Sequence, residues 1–206
     1  MDTKERIIDE ALTLFSQKGY GDVYVAQIAS AVGIKAPSLY KHFKSKQEIF
    51  DALTKTMEER YIRQASSIGI SGIDAGTDAE LYKDISEEAL IKIGTGLFLY
   101  FLHDDYMARF RKMLTLEQFR NPALSKIYTR QFYEDPMEFQ SGVFSKLISE
   151  KKLLGDDPKL MALEFYSPIY MLLTVCDRDP SYEKTAVALI EKHIHDFNEK
   201  RKVRKK

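Results

Sequence analysis

The chain has a single cysteine, Cys176, in 206 residues, so no disulfide framework is available and a reducing compartment suits it. It has no run of eighteen apolar residues. The most apolar window, 94–102, is too short to cross a bilayer, and no membrane partner is expected. The opening Asp2-Thr3-Lys4-Glu5-Arg6 is charged and unlike a secretory signal, so a cytoplasmic protein is the expectation. Net charge is absent as well, with 31 basic and 31 acidic side chains. Alternation of apolar and polar residues, the mark of half-buried strands, is missing throughout.

Catalytic and metal-binding patterns are equally sparse. The four histidines are His42, His103, His193 and His195, and no two stand four apart on one helical face. His193 and His195 diverge on a helix, Cys176 has no evident histidine partner, and no glycine-rich phosphate loop occurs. His103-Asp104-Asp105 superficially resembles a metal-binding pair and reads better as a polar helix junction. The expectation is a protein that is no enzyme and holds no cofactor or metal. A helical metal-dependent hydrolase, or a helical interaction protein without DNA binding, is the alternative.

Present in quantity are apolar residues at helical spacing, within a composition 44% hydrophobic and 30% charged. The fold class is all-α. Ile7, Ile8, Ala11, Leu12, Leu14 and Phe15 form one stripe, stopped at Gly19. Val25, Ile28, Ala29 and Val32 form a second helix ending near Gly33, and Leu39 and Phe43 belong to a third. Ser45-Lys46-Gln47-Glu48 reads as a capping box opening a fourth, which carries Ile49, Phe50, Leu53, Met57 and Tyr61 on one face. The stretch 66–79 is rich in Gly, Ser and Asp and predicts a boundary loop. A helix pair covers about 85–119. Asn121-Pro122, Asp157-Pro158 and Asp179-Pro180 each put a capping residue before a proline suited to a first helical position. Asp135-Pro136 fits either such a start or a kink in a longer helix. Pro168 should bend the helix over 160–175. The predicted domains are 1–60, 61–199 and a basic tail at 200–206, which holds six basic residues in seven and reads as solvated.

Positive charge also collects over 35–46, with four lysines and no acid. Three short helices with a tight turn outline a helix-turn-helix at about 24–43, whose second helix enters the major groove. In the candidate recognition segment 35–43, Leu39 and Phe43 point to the core, while Ala36, Ser38, Tyr40, Lys41 and His42 can point outward beside Lys35. Small Ala36 and Ser38 allow close approach to base edges, and Tyr40 and His42 reach phosphates. Lys46, at a helix start, suits a phosphate.

Gly19-Tyr20, 25–29 (Val-Ala-Gln-Ile-Ala), Val32-Gly33-Ile34 and 39–46 (Leu-Tyr-Lys-His-Phe-Lys-Ser-Lys) resemble, in order and spacing, the signature of the TetR family of transcriptional regulators over residues 5–53. The resemblance implies a homodimer that grips a palindromic double-stranded DNA operator, and favours a repressor. It implies backbone contacts from Tyr40 and His42, a phosphate contact from Lys46, and Ala36 and Ser38 facing bases. Tyr24 stands where the family usually has a Ser or Thr cap, so Asp22 or water is expected to satisfy that helix start. By the same resemblance the C-terminal two-thirds dimerises, with Ala186, Leu189, Ile190, His193 and Phe197 facing the partner, and encloses a small-molecule inducer. Gly94, Gly96 and Pro168 each cost helix stability, which is tolerable where helices splay around a cavity. The pocket is expected among Phe98, Phe101, Phe110, Met113, Glu117, Tyr166 and Tyr170, for a largely apolar ligand.

Overall fold

The computed structural model describes residues 2–203, and every regular element among them is helical. An isolated bridge between Leu153 and Lys202 is the only strand-like pairing in that range. The helices are α1 (Thr3–Lys18), α2 (Val25–Val32), α3 (Ala36–Leu39), α4 (Lys46–Ser67), α5 (Ala75–Tyr82), α6 (Glu87–His103), α7 (Asp105–Glu117), α8 (Pro122–Thr129), α9 (Asp135–Ser149), α10 (Pro158–Cys176) and α11 (Glu183–Arg201).

Capping side chains set most boundaries. Asp2 Oδ1 accepts from the Glu5 amide at 2.8 Å while Glu5 Oε2 accepts from the Asp2 amide at 2.7 Å, a reciprocal cap on α1. Asn121 accepts from the Ala123 amide at 3.0 Å, Asp157 from Lys159 at 3.0 Å and Asp179 from Ser181 at 3.0 Å. The last of these opens a 3-10 turn, Pro180–Tyr182, ahead of α11. Asp135 is different. A π-helical turn, Arg130–Glu134, carries the chain from α8 into α9, and Asp135 pairs with Arg130 Nε at 3.3 Å instead of capping. Pro136 stands four residues after Phe132 and has no N–H for its carbonyl. The Tyr166 hydroxyl donates there instead, at 3.0 Å.

The boundary loop is shorter than the expected 66–79. Helix α4 runs to Ser67 and α5 begins at Ala75, because Asp74 accepts from the Thr77 amide at 2.7 Å. The loop itself closes on buried Asp78, which accepts from the Ser71 and Gly72 amides at 2.7 and 2.8 Å. At the other end, Lys200 and Arg201, expected in a solvated tail, belong to α11; 204–206 of that expected tail lie outside the described residues.

The chain forms two compact units. One comprises Met1–Tyr61 and Asp105–Thr129; the other, Ile62–Asp104 and Arg130–Lys206. A single division after residue 60 therefore does not capture the arrangement, since α7 packs on α1 and α8 on α7. In the first unit Ile7, Leu12 and Phe15 of α1 are fully buried, as are Ile49 and Leu53 of α4 and Met113 of α7. Phe50 and Phe110 stack at 6.4 Å. Arg109 binds Asp9 Oδ1 and Thr13 Oγ1 at 2.7 Å each, riveting α7 to α1. The Tyr106 hydroxyl donates to the Leu53 carbonyl at 2.8 Å, and burial pushes that phenol well above its ordinary pKa.

In the second unit Phe98, Leu172, Leu173, Cys176, Ala186, Ile190 and Ile194 form a core between α6, α10 and α11. Ala186 and Ile190, expected to face a partner, are fully buried there and pack within the chain. Gly94 is explained by the same packing: a Cβ on it would stand 2.5 Å from Ile194 Cδ1, so the glycine lets α11 approach α6. A Cβ on Gly96 would meet nothing within 4 Å. Phe144, Phe165 and Phe197 make a second cluster, and His193 Nε2 is 2.8 Å from the Phe165 carbonyl. Helix α10, rather than 94–102, is long and apolar enough to cross a membrane, at a mean hydropathy of 1.2 over eighteen residues. Met161, Ala162, Leu172, Leu173 and Cys176 of that helix are buried in the unit's cores.

Candidate nucleic-acid interface

Leu39 and Phe43 are buried, and between and around them the chain turns outward. Helix α3 is a single turn, Ala36–Leu39, continued by tight turns in which the His42 and Phe43 amides both donate to the Leu39 carbonyl, at 2.8 and 3.0 Å. Burying residues 39 and 43 forces 40, 41 and 42 to the surface: Tyr40 is 50% exposed, and Lys41 and His42 are exposed. Lys35 precedes the helix and is exposed, while Ala36 and Ser38 are half-buried. The six side chains expected on a DNA face thus share one element and its flanks. Lys44 is exposed beside them.

The helix that supports α3 is closed at its far end by Gly33, whose N–H donates toward the Ala29 and Ser30 carbonyls, and by Arg6, which reaches the Val32 carbonyl at 2.6 Å. Its start corrects the sequence reading. Asp22 does not cap α2; its carboxylate lies 4.0 Å from Arg120. Gln27 Oε1 accepts the Tyr24 amide at 2.8 Å, so the third helical residue reaches back where the capping residue cannot reach forward. Tyr24 itself is 71% exposed.

The Lys46 ammonium is turned toward the α1–α2 loop. It donates to the Tyr20 and Val23 carbonyls at 2.7 and 2.9 Å and stands 4.3 Å above the Tyr20 ring. Burial lowers its pKa, while Glu117 and Asp22 raise it. The neighbouring cap forms much as expected: Ser45 Oγ accepts from the Glu48 amide at 3.1 Å, and Glu48 accepts from the Lys44 amide at 2.6 Å rather than from Ser45.

The residues expected to line a ligand pocket fall into both units. Phe110, Met113 and Glu117 are buried in the first, where Glu117 accepts the Gly21 amide at 3.2 Å. Phe98 is a core residue of the second and Phe101 packs against that core. Tyr166 and Tyr170 stack at 6.0 Å, and Phe132 and Tyr133 meet Tyr170 at 6.0 and 5.3 Å, an aromatic group spanning the π turn and α10. Gln131, in the same π turn, has its Oε1 buried without a hydrogen-bond partner. His103 pairs with Glu183 at 2.9 Å and Asp105 binds Arg109, a helix junction with no shared ligand geometry. Among the described residues, no three of His, Cys, Asp and Glu converge on a metal position.

Residues 7–53 match the model of the bacterial regulatory proteins of the tetR family. The N-terminal segment is thus similar to the DNA-binding domain of the TetR family. The same region is 50% identical over 52 residues to the biofilm operon icaADBC HTH-type negative transcriptional regulator IcaR of Staphylococcus aureus strain Newman, covering 25% of this chain and 28% of that protein. It is 49% identical over 47 residues to the IcaR of Staphylococcus epidermidis, covering 23% of this chain and 25% of that protein. The match thus spans about a quarter of these curated relatives' length. The TetR-type fold extends further. SmeT, the repressor of the Stenotrophomonas maltophilia multidrug efflux pump SmeDEF, superposes with a TM-score of 0.65 at 17% identity, over 98% of this chain and 92% of that one. A TetR family transcriptional regulator from Pseudomonas syringae does so at 0.66 and 16%, over 97% of each chain.

Proposed function

We propose that this TetR-type protein is a cytoplasmic, homodimeric transcriptional repressor that reads a palindromic operator in double-stranded DNA and is released by a small, largely apolar ligand. One observation carries the DNA reading: burial of Leu39 and Phe43 turns Tyr40, Lys41 and His42 outward, flanked by Lys35, Ala36 and Ser38. A short helix with small residues at its start and cationic and hydroxyl groups at its end suits a major groove bordered by phosphates. In this assignment Tyr40, Lys41, His42 and Lys35 serve the backbone or base edges, Ala36 and Ser38 face bases, and Lys46 serves the loop. No residue is assigned a catalytic role.

Dimerisation is supported by an apolar stripe on α10. Leu160, Leu163 and Met171 are 51, 50 and 57% exposed on one face of a helix whose opposite side is core. Leu189 of α11 is exposed as well. Such a row suits the self-complementary surface of a two-fold dimer. Ligand control is supported by analogy: SmeT is known in complex with triclosan, an aromatic compound. The aromatic group around Tyr170 suits a planar apolar molecule.

The decisive experiment is selection of bound duplexes from a random DNA pool, with sedimentation of the free protein. A two-fold symmetric consensus and a dimer at micromolar concentration are expected. No enrichment, or a consensus without symmetry from a monomer, overturns the reading.

A further inference from the structure

The loop between α1 and α2 has no ladder of its own, yet it delivers the chain to Tyr24, the first residue before α2. It is held from two directions. Glu117, the last residue of α7, is only 3% exposed, and its carboxylate accepts the Gly21 amide at 3.2 Å. From the start of α4, Lys46 donates to the carbonyls of Tyr20 and Val23. Donor and acceptor groups of one five-residue segment are therefore both taken by charged side chains from outside it. The Tyr20 ring is fixed between Phe15 at 5.1 Å and Phe50 at 5.5 Å.

Gly19 shows how closely the carboxylate is seated. Its φ is +87°, and a Cβ there would stand 2.5 Å from Glu117 Oε1. Residue 19 is thus restricted twice, by backbone conformation and by the carboxylate itself. Burying a carboxylate is costly unless it is partnered. An apolar residue at 117 would bury without that cost, so packing alone does not account for a glutamate.

We propose that Glu117 is a positioning residue for DNA reading: through Gly21 it fixes the α1–α2 loop and, with Lys46, sets where α2 and α3 stand. Displacement of the end of α7 then reaches the α1–α2 loop through the Glu117–Gly21 hydrogen bond, beside the Arg109 contacts that tie α7 to α1. The inference rests on the assignment of α3 to DNA, and on that alone for its functional consequence.

The full chain is compared with Glu117→Leu, which fills the buried volume without an acceptor, and Glu117→Gln, whose amide oxygen still accepts from Gly21. The readouts are affinity for the selected duplex across a salt series and amide hydrogen exchange of residues 20–24. Glu117→Leu should bind about ten- to a hundredfold more weakly, the scale of one hydrogen bond to a charged group. Its salt slope should be unchanged, because no phosphate contact is lost. Exchange at 20–24 should accelerate while core amides of α1 and α4 stay protected, and Glu117→Gln should restore both readouts. Wild-type affinity in Glu117→Leu overturns the proposal, as does a salt slope shallower by about one, which marks direct phosphate contact. If the wild type binds no DNA, the functional assignment of α3 fails; unchanged loop exchange in Glu117→Leu then separately overturns the clamp.

Discussion

Lys46→Ala separates two roles that a lysine in this register can play. If the ammonium met a phosphate, its loss would flatten the salt dependence of log affinity by about one unit and leave the free protein's stability alone. The structure instead ties it to the Tyr20 and Val23 carbonyls at 2.7 and 2.9 Å and places it 4.3 Å over the Tyr20 ring. Hydrogen bonds from a charged donor contribute about 1.5 to 3 kcal/mol, and a half-exposed ammonium falls at the low end. The contact with the ring adds about 0.5 kcal/mol at such a site. A loss of roughly 2 kcal/mol follows, which for a chain of 206 residues lowers the melting temperature by about 4 to 8 °C. Thermal unfolding monitored by circular dichroism measures it, with DNA titrations at three or more salt concentrations alongside. The expected pair is a lower melting temperature and an unchanged salt slope. An unchanged melting temperature with a slope shallower by one unit refutes the reasoning and restores Lys46 to the phosphate backbone.

Tyr166→Phe removes the donor that serves the Phe132 carbonyl at the π turn. It should cost about 1 kcal/mol in urea unfolding, the net contribution of one such hydrogen bond, whereas a neutral result would show the turn to be self-sufficient. Gly94→Ala should be neutral or destabilising in the wild type, because the new Cβ meets Ile194 Cδ1. In an Ile194→Val background that atom is gone, and the same change should become stabilising by up to about 1 kcal/mol through helix propensity; the same sign in both backgrounds counts against the contact. His195 has its pKa raised above 6.5 by the hydrogen bond to Glu87 at 2.6 Å and then by that carboxylate's charge. Its contribution to stability is therefore complete below pH 6.5 and lost as pH rises through the raised value. Melting temperatures of the wild type and His195→Gln should converge from pH 6 to pH 8, and a constant difference would remove the pair from the account.

Periodicity and capping made the helices legible, because both are local. Gly19 and Gly33 mark helix ends as expected, and the aspartates and asparagine before Pro122, Pro158 and Pro180 cap. Asp135-Pro136 has the same two letters and a different outcome. The difference lies thirty residues away, where the Tyr166 hydroxyl donates to the Phe132 carbonyl in the π turn, and dipeptide pattern carries no trace of that. Gly94 shows a related limit. Gly94 suggested a cavity by its cost to the helix, yet the cost is offset by the approach of α11, a contact a hundred residues off in sequence. Legibility at the DNA face divides along the same line. Burial of Leu39 and Phe43 is a matter of four-residue spacing, and it fixes the exposure of Tyr40, Lys41 and His42 without further information. The register also locates Lys46, but register cannot say where a flexible four-carbon stem turns its ammonium. Two backbone carbonyls, 26 and 23 residues earlier, decide that. The four lysines over 35–46 therefore differ in their surroundings. Lys35, Lys41 and Lys44 are exposed, and in the proposed complex each phosphate they neutralised would steepen the salt dependence by about 0.9 unit, while Lys46 is engaged by the loop.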